Sequence, residues 1–110
     1  TPTMTRHGSV VRLRPEKEAE YVELHAAVWP EVLERLTASG IRNYSIFLRD
    51  GWLFSYFEYV GTDYEADMAA IAAHDVTQRW WEITAPCQER LPTATEDEQW
   101  STMTEVFHLD

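Results

Sequence analysis

Residues 41–48 and 52–60 are two β-rich runs flanking Arg49-Asp50-Gly51, and Asp-Gly between such runs is a strong short-range hairpin signal. In the second run Trp52, Phe54 and Tyr56 point one way while Leu53, Phe57 and Tyr59 point the other, so both faces are apolar or aromatic. An antiparallel sheet covered by helices on one side normally shows polar residues on the other. The pattern therefore predicts that the bare face is buried against a second copy, giving a homodimer joined through sheet faces.

The flanking segments supply the helices. Residues 7–14 contain Val10, Val11 and Leu13 and stop at Pro15, which reads as a strand followed by a helix opening on proline. Glu16, Glu18 and Glu20 then sit where the positive end of a helix dipole favours them. This helix runs to about Ser39, where Gly40 supplies a left-handed cap, and Pro30 breaks or kinks it near Trp29. Thr62-Asp63 opens a second helical region with Tyr64, Met68 and Ile71 at helical spacing. A last helix places Val76, Trp80, Ile83 and Cys87 on one stripe, and an acidic loop over residues 92–101 follows. Residues 103–109 alternate and close the chain as a strand. The order βαββαβ is the ferredoxin-like split: an α+β fold, its antiparallel sheet carrying helices on one face, of the dimeric α+β barrel kind. At 110 residues the chain has room for one core, so it is read as a single domain over 1–110.

Charge and cysteine usage narrow the function. With 9 Lys+Arg against 19 Asp+Glu the net charge is -10, which a nucleic acid or an anionic membrane surface would repel, whereas a small neutral ligand is indifferent to it. Cys87 is the only cysteine, residues 1–8 hold no apolar signal core, and no window approaches the roughly 20 apolar residues of a membrane span. These features read as a cytoplasmic protein. His7, His25, His74 and His108 fit neither H-E-x-x-H nor a Cys/His spacing, so no metal is expected. Gly-rich phosphate loops and the G-x-S-x-G elbow are absent as well.

The candidate chemistry centres on the first helix. Tyr21 and His25 are i and i+4, and both lie on the apolar stripe. An imidazole held there beside a phenol can act as general acid or base if a pocket opens; otherwise it is a core histidine bonded to backbone. Tyr44 alternates with Arg42 and Ile46 along the second strand, and if that face meets the helices its hydroxyl can reach the Tyr21 and His25 pair; the other reading is a strand tyrosine at an interface. Trp80 falls on the last helix's apolar stripe and reads as core. Trp81, turned about 100° from it beside Gln78 and Arg79, suits either the apolar face of a deoxy sugar or a dimer interface.

Read together, Tyr21-x-x-x-His25, Trp29-Pro30-Glu31, the 40–46 stretch, Leu53-Phe54, the run from Asp75 through Gln78-Arg79-Trp80-Trp81 and the terminal Glu105-Val106-Phe107-His108-Leu109 resemble the L-rhamnose mutarotase family. The resemblance implies a small dimeric α+β isomerase that interconverts α and β sugar anomers. It also implies that His25 fills the proton-donor position, and that Tyr21, Tyr44, Trp80 and Trp81 fill sugar-binding positions. Ring opening and closure involve no redox step, so no cofactor is expected. One departure is Ala26-Ala27, which follow the histidine where family members carry a polar residue, and it leaves the choice between L-rhamnose and a related 6-deoxy aldohexose open. Two other classes are compatible with the fold: a dimeric α+β barrel monooxygenase, with His25 as a haem ligand, and a non-catalytic binding module whose sheet face serves only association.

Overall fold

The computed structural model describes residues 4–110. Strand β1 (Thr5–Leu13) leads through a 3-10 turn at Pro15–Lys17 into helix α1 (Glu18–His25). Helix α2 (Pro30–Ala38) follows after a break at residues 26–29. Pro30 causes that break: it occupies the first turn of α2, where its missing N–H costs nothing, and Trp29 before it is extended. Gly40 ends the segment at φ +85°, and a Cβ there would meet the backbone nitrogen of Gly61 at 3.0 Å.

Strands β2 (Ile41–Arg49) and β3 (Trp52–Tyr59) form the expected hairpin. Its turn has both central residues at positive φ, Asp50 at 52° and Gly51 at 76°, the conformation that matches the twist of the strands it joins. Helix α3 (Tyr64–Ala73) is capped by the Asp63 carboxylate, which accepts from the backbone N–H of Ala66 at 3.1 Å. Helix α4 (Asp75–Thr84) then runs into a 3-10 turn at Ala85–Cys87. Two short strands, β4 (Gln88–Glu89) and β5 (Ser101–Met103), finish the sheet.

Among the described residues the sheet is antiparallel and ordered β2-β3-β1, with β4 and β5 both pairing β1. This is the expected ferredoxin-like arrangement with its helices on one face. Val11 and Leu13 of β1, Leu53 of β3, Tyr21 of α1 and Cys87 form one buried cluster, and Ile41, Tyr59 and Ile71 form another. The opposite face leaves Phe47 63% and Phe54 38% exposed, paired across the hairpin, with Met103 on the same side.

Three local expectations are corrected. First, the closing strand covers 101–103 rather than 103–109. Beyond Gly8, β1 turns its Arg6 side chain to Glu105 in an ion pair at 2.8 Å instead of continuing the ladder, and Val106, Phe107 and Leu109 stay exposed. Second, α4 buries Thr77, Trp80 and Thr84, while Ile83 is 37% exposed. The helix ends at Thr84, so Cys87 reaches the core from the following turn and does not share the stripe. Third, Arg42 and Tyr44 do not share a face. Arg42 pairs with Glu58 and Ser45 with Tyr56, so Asn43 and Tyr44 stand against the single residue Phe57 in a β-bulge, with Asn43 at φ 50°. The extra residue flips the phase, placing Ile41, Tyr44 and Ile46 on the helix side and Arg42 on the other.

Candidate active site

The four elements α1, α2, α4 and β2 enclose a cleft of about 380 Å³ lined by His25, Tyr44, Thr77, Trp80 and Trp81 together with aliphatic residues of α2. That size lies within the range of small-molecule sites. A second cavity of about 340 Å³, lined by Tyr21, Val22, Ala26, Leu48 and Leu53, lies beside the first and shares His25 and Ile46 with it, forming a second lobe of the site.

His25 is the last residue of α1, and it lines both lobes. Its Nδ1 is bonded at 2.9 Å to the carbonyl of Tyr21, its ring stacks on the Tyr21 ring with centroids 4.2 Å apart, and the edge of Trp80 meets it at 5.3 Å. The carbonyl accepts, so Nδ1–H donates; among the described residues nothing bonds Nε2. Both readings of this histidine are thereby joined, since the backbone bond that would satisfy a core residue here orients a half-buried imidazole at a cleft.

Tyr21 is 4% exposed, and its hydroxyl accepts from the amide of Gln88 at 3.1 Å. Desolvation pushes its pKa far above that of a free phenol, so it is a neutral hydrogen-bonding group and not a base. Tyr44 is brought to the cleft by the Asn43 bulge. The residue as a whole is 44% exposed, yet desolvation raises the pKa of its hydroxyl, which leaves it neutral too.

The two tryptophans divide the roles that spacing assigns them. Trp80 is 6% exposed and packs edge-on against Trp29 at 5.2 Å, so it belongs to the core, yet it also forms a wall of the cleft. Trp81, 43% exposed, stands at the cleft's edge. The break at residues 26–29 is what turns the Trp29 ring onto Trp80. Of the five residues singled out from the sequence, Tyr44, Trp80 and Trp81 therefore line the first lobe, Tyr21 lines the second, and His25 lines both.

Two further residues belong to this neighbourhood. Thr77 is buried on the cleft wall, its hydroxyl bonded to His74 Nδ1 at 2.9 Å. It stands i−3 from Trp80, a spacing that could have found it had threonine been counted with the apolar stripe. Gln88 has no sequence signal at all, because its link to Tyr21 spans 67 residues of chain.

The family model described as L-rhamnose mutarotase matches residues 6–109. The chain belongs to the L-rhamnose mutarotase family. It is 35% identical to the L-rhamnose mutarotase of Oceanobacillus iheyensis, over 97% of this chain and 100% of that one. In structure it resembles the L-rhamnose mutarotase of Formosa agariphila with a TM-score of 0.74 at 23% identity, over 96% of this chain and 99% of the other. The tetracenomycin F2 cyclase of Streptomyces glaucescens gives a TM-score of 0.73 at 14% identity, over 96% and 97% of the two chains, a likeness of fold alone. As a mutarotase-family protein the chain is an isomerase of the racemase and epimerase class acting on sugar anomers. The oxygenase and binding-module readings are not favoured.

Proposed function

We propose that this mutarotase-family chain interconverts the α and β anomers of L-rhamnose or a related 6-deoxy aldohexose in the cleft around His25. The observation that carries the reading is the tethered imidazole: the Nδ1 bond to Tyr21 fixes the ring and leaves Nε2 as the nitrogen that exchanges a proton. Ring opening needs a proton on the ring oxygen while the anomeric hydroxyl loses one. The protonated imidazole donates from Nε2 to the ring oxygen, and water entering past Tyr44 and Trp81 takes the anomeric proton. Rotation about C1–C2 then presents the other face of the carbonyl, and the same two transfers run in reverse on closure. No electrons leave the sugar, so the reaction calls for no redox cofactor.

Neutral Tyr21 and Tyr44 hydroxyls orient sugar hydroxyls, and the Trp80 and Trp81 rings face its apolar side. The second lobe, walled by Val22, Ala26, Leu48 and Leu53, suits a C6 methyl group better than a hydroxymethyl group. Ala26 thus contributes aliphatic surface at the point where the sequence departs from the family's pattern.

The proposal includes a cytoplasmic homodimer joined through sheet faces. Exposed Phe47, Phe54 and Met103 on the bare face, with Phe107 beyond β5, support the association. No helix of the described residues is long and apolar enough to cross a membrane. The deciding experiment is saturation-transfer NMR of anomer exchange with L-rhamnose, L-fucose and D-glucose. Acceleration of a 6-deoxy sugar is the expected result, and a rate no faster than buffer with every aldohexose would overturn the assignment.

A further inference from the structure

The acidic loop after α4 has no part in the reading given so far, yet one of its residues, Gln99, reaches Tyr21 through Gln88. Gln88 opens β4, its backbone paired with Leu13 at the end of β1, and it is only 5% exposed. Its Nε2 donates to the Tyr21 hydroxyl at 3.1 Å, and its Oε1 accepts from Nε2 of Gln99 at 3.0 Å. Gln99 is itself held by a pinned loop. The Arg90 guanidinium donates to the carbonyl of Glu98 at 2.8 Å and to that of Thr95, while the Glu98 carboxylate takes the backbone N–H groups of Thr95 and Thr102, each at 3.2 Å. Trp100, next in the chain, packs against the buried cluster that contains Tyr21.

A phenol has one proton to donate, and its oxygen can accept as well. Here the Tyr21 oxygen accepts from the Gln88 amide N–H, and among the described residues the Tyr21 O–H has no acceptor of its own. We propose that Gln88, held by Gln99, is a positioning residue for the sugar site: by donating to the Tyr21 oxygen it turns the Tyr21 proton toward the cleft. By donating to the Gln88 oxygen, the Gln99 amide holds the Gln88 carboxamide with its oxygen toward Gln99 and its N–H toward the phenol. The amide pair thus sets the direction of the hydrogen bond, and the loop sets the amide pair. This inference rests on the reading of Tyr21 as a sugar-binding group.

The test compares kcat and KM for L-rhamnose anomer exchange in the wild type, Tyr21→Phe, Gln88→Glu, Gln88→Leu and the Tyr21→Phe/Gln88→Glu double variant, each with a thermal melt. A carboxylate at position 88 only accepts, so it captures the Tyr21 proton. Gln88→Glu should raise KM by about five- to twentyfold with kcat within about twofold, and Gln88→Leu, which merely frees the hydroxyl, should raise KM by about two- to fivefold. In the Tyr21→Phe background Gln88→Glu should add less than about a twofold change, because there is no proton left to redirect. A packing role predicts otherwise: a lower melting temperature and less active enzyme at unchanged KM, with the effect persisting beside Phe.

A folded Gln88→Glu protein with wild-type KM, or an equal loss in both backgrounds, overturns the positioning role. Should Gln88→Glu not fold, Gln88→Leu decides alone, and an unchanged KM overturns it. Tyr21→Phe with wild-type KM and kcat sinks the sugar-binding reading of Tyr21 itself, whereas a raised KM there beside silent Gln88 variants sinks only the inference about Gln88.

Discussion

His25 Nδ1 lies 2.9 Å from the carbonyl oxygen of Tyr21, the residue one turn earlier on the same helix. This bond uses a backbone carbonyl one turn back along α1, so the rigid helix itself orients the imidazole, while the helix end is closed separately by the backbone N–H of Ala26. The helix stops at His25 because the chain must turn before Pro30, and that stop frees the ring to stand between the two lobes.

Replacing His25 with Asn removes the proton carrier while keeping a polar side chain of modest size. Anomer exchange should fall by roughly 10²- to 10⁴-fold, the usual contribution of positioned proton transfer, while L-rhamnose still binds. Saturation-transfer NMR beside a thermal melt separates this from unfolding. A folded variant exchanging at the wild-type rate would sink the mechanism.

Trp80 and Trp81 should respond in opposite ways. Trp80→Ala empties a buried position against His25 and Trp29 and should cost about 3–5 kcal/mol, read by denaturant titration. Trp81→Ala alters an exposed position and should stay within about 0.5 kcal/mol of wild type while raising KM. Equal stability losses at the two positions would contradict the division between core wall and cleft edge.

Asn43 makes the bulge possible, since its φ of 50° is a conformation that asparagine tolerates and β-branched residues do not. Asn43→Val should cost about 1–2 kcal/mol and raise KM by displacing Tyr44, whereas Asn43→Gly should nearly preserve both. The comparison needs only melting curves and a Michaelis plot. If valine and glycine behave alike, the bulge does not govern Tyr44.

Sheet-face association predicts that the wild type elutes with a dimer's mass in light scattering at micromolar concentration. Exchanging Phe47 and Phe54 together for Glu should give a folded monomer, because like charges would then face each other across the bare sheet. A monomeric wild type refutes the homodimer.

The backbone N–H of Thr95, and then that of Thr102, hold the Glu98 carboxyl below the usual carboxylate range. A carboxylate whose folded pKa is depressed binds fewer protons than in the unfolded chain, so its contribution is present above the unfolded pKa and is lost as pH falls through the folded one. Wild-type melting temperature should therefore drop more steeply from about pH 5 to pH 3 than that of Glu98→Gln, which cannot titrate. Parallel curves would show that this carboxylate does not stabilise the loop.

Where the sequence alone sufficed, the cause was local chemistry. Asp50-Gly51 specify a turn with two positive φ angles, Pro30 cannot continue the helix before it, and Asp63 caps the helix that follows. Each effect acts through residues within a few positions, so the element order, the break near Trp29 and the ferredoxin-like arrangement were legible, as was the Tyr21 and His25 pair one turn apart. Tertiary structure alone decided three things. The Asn43 bulge reversed the phase of β2 and brought Tyr44 to the helices, α4 rotated to bury Thr77 and Thr84 in place of Ile83, and Gln88 met Tyr21 across 67 residues. These depend on how an element fits a surface made by distant parts of the chain. Strand register and helix rotation minimise exposed apolar area and unsatisfied polar groups over the whole core, and no window of neighbouring residues contains that sum.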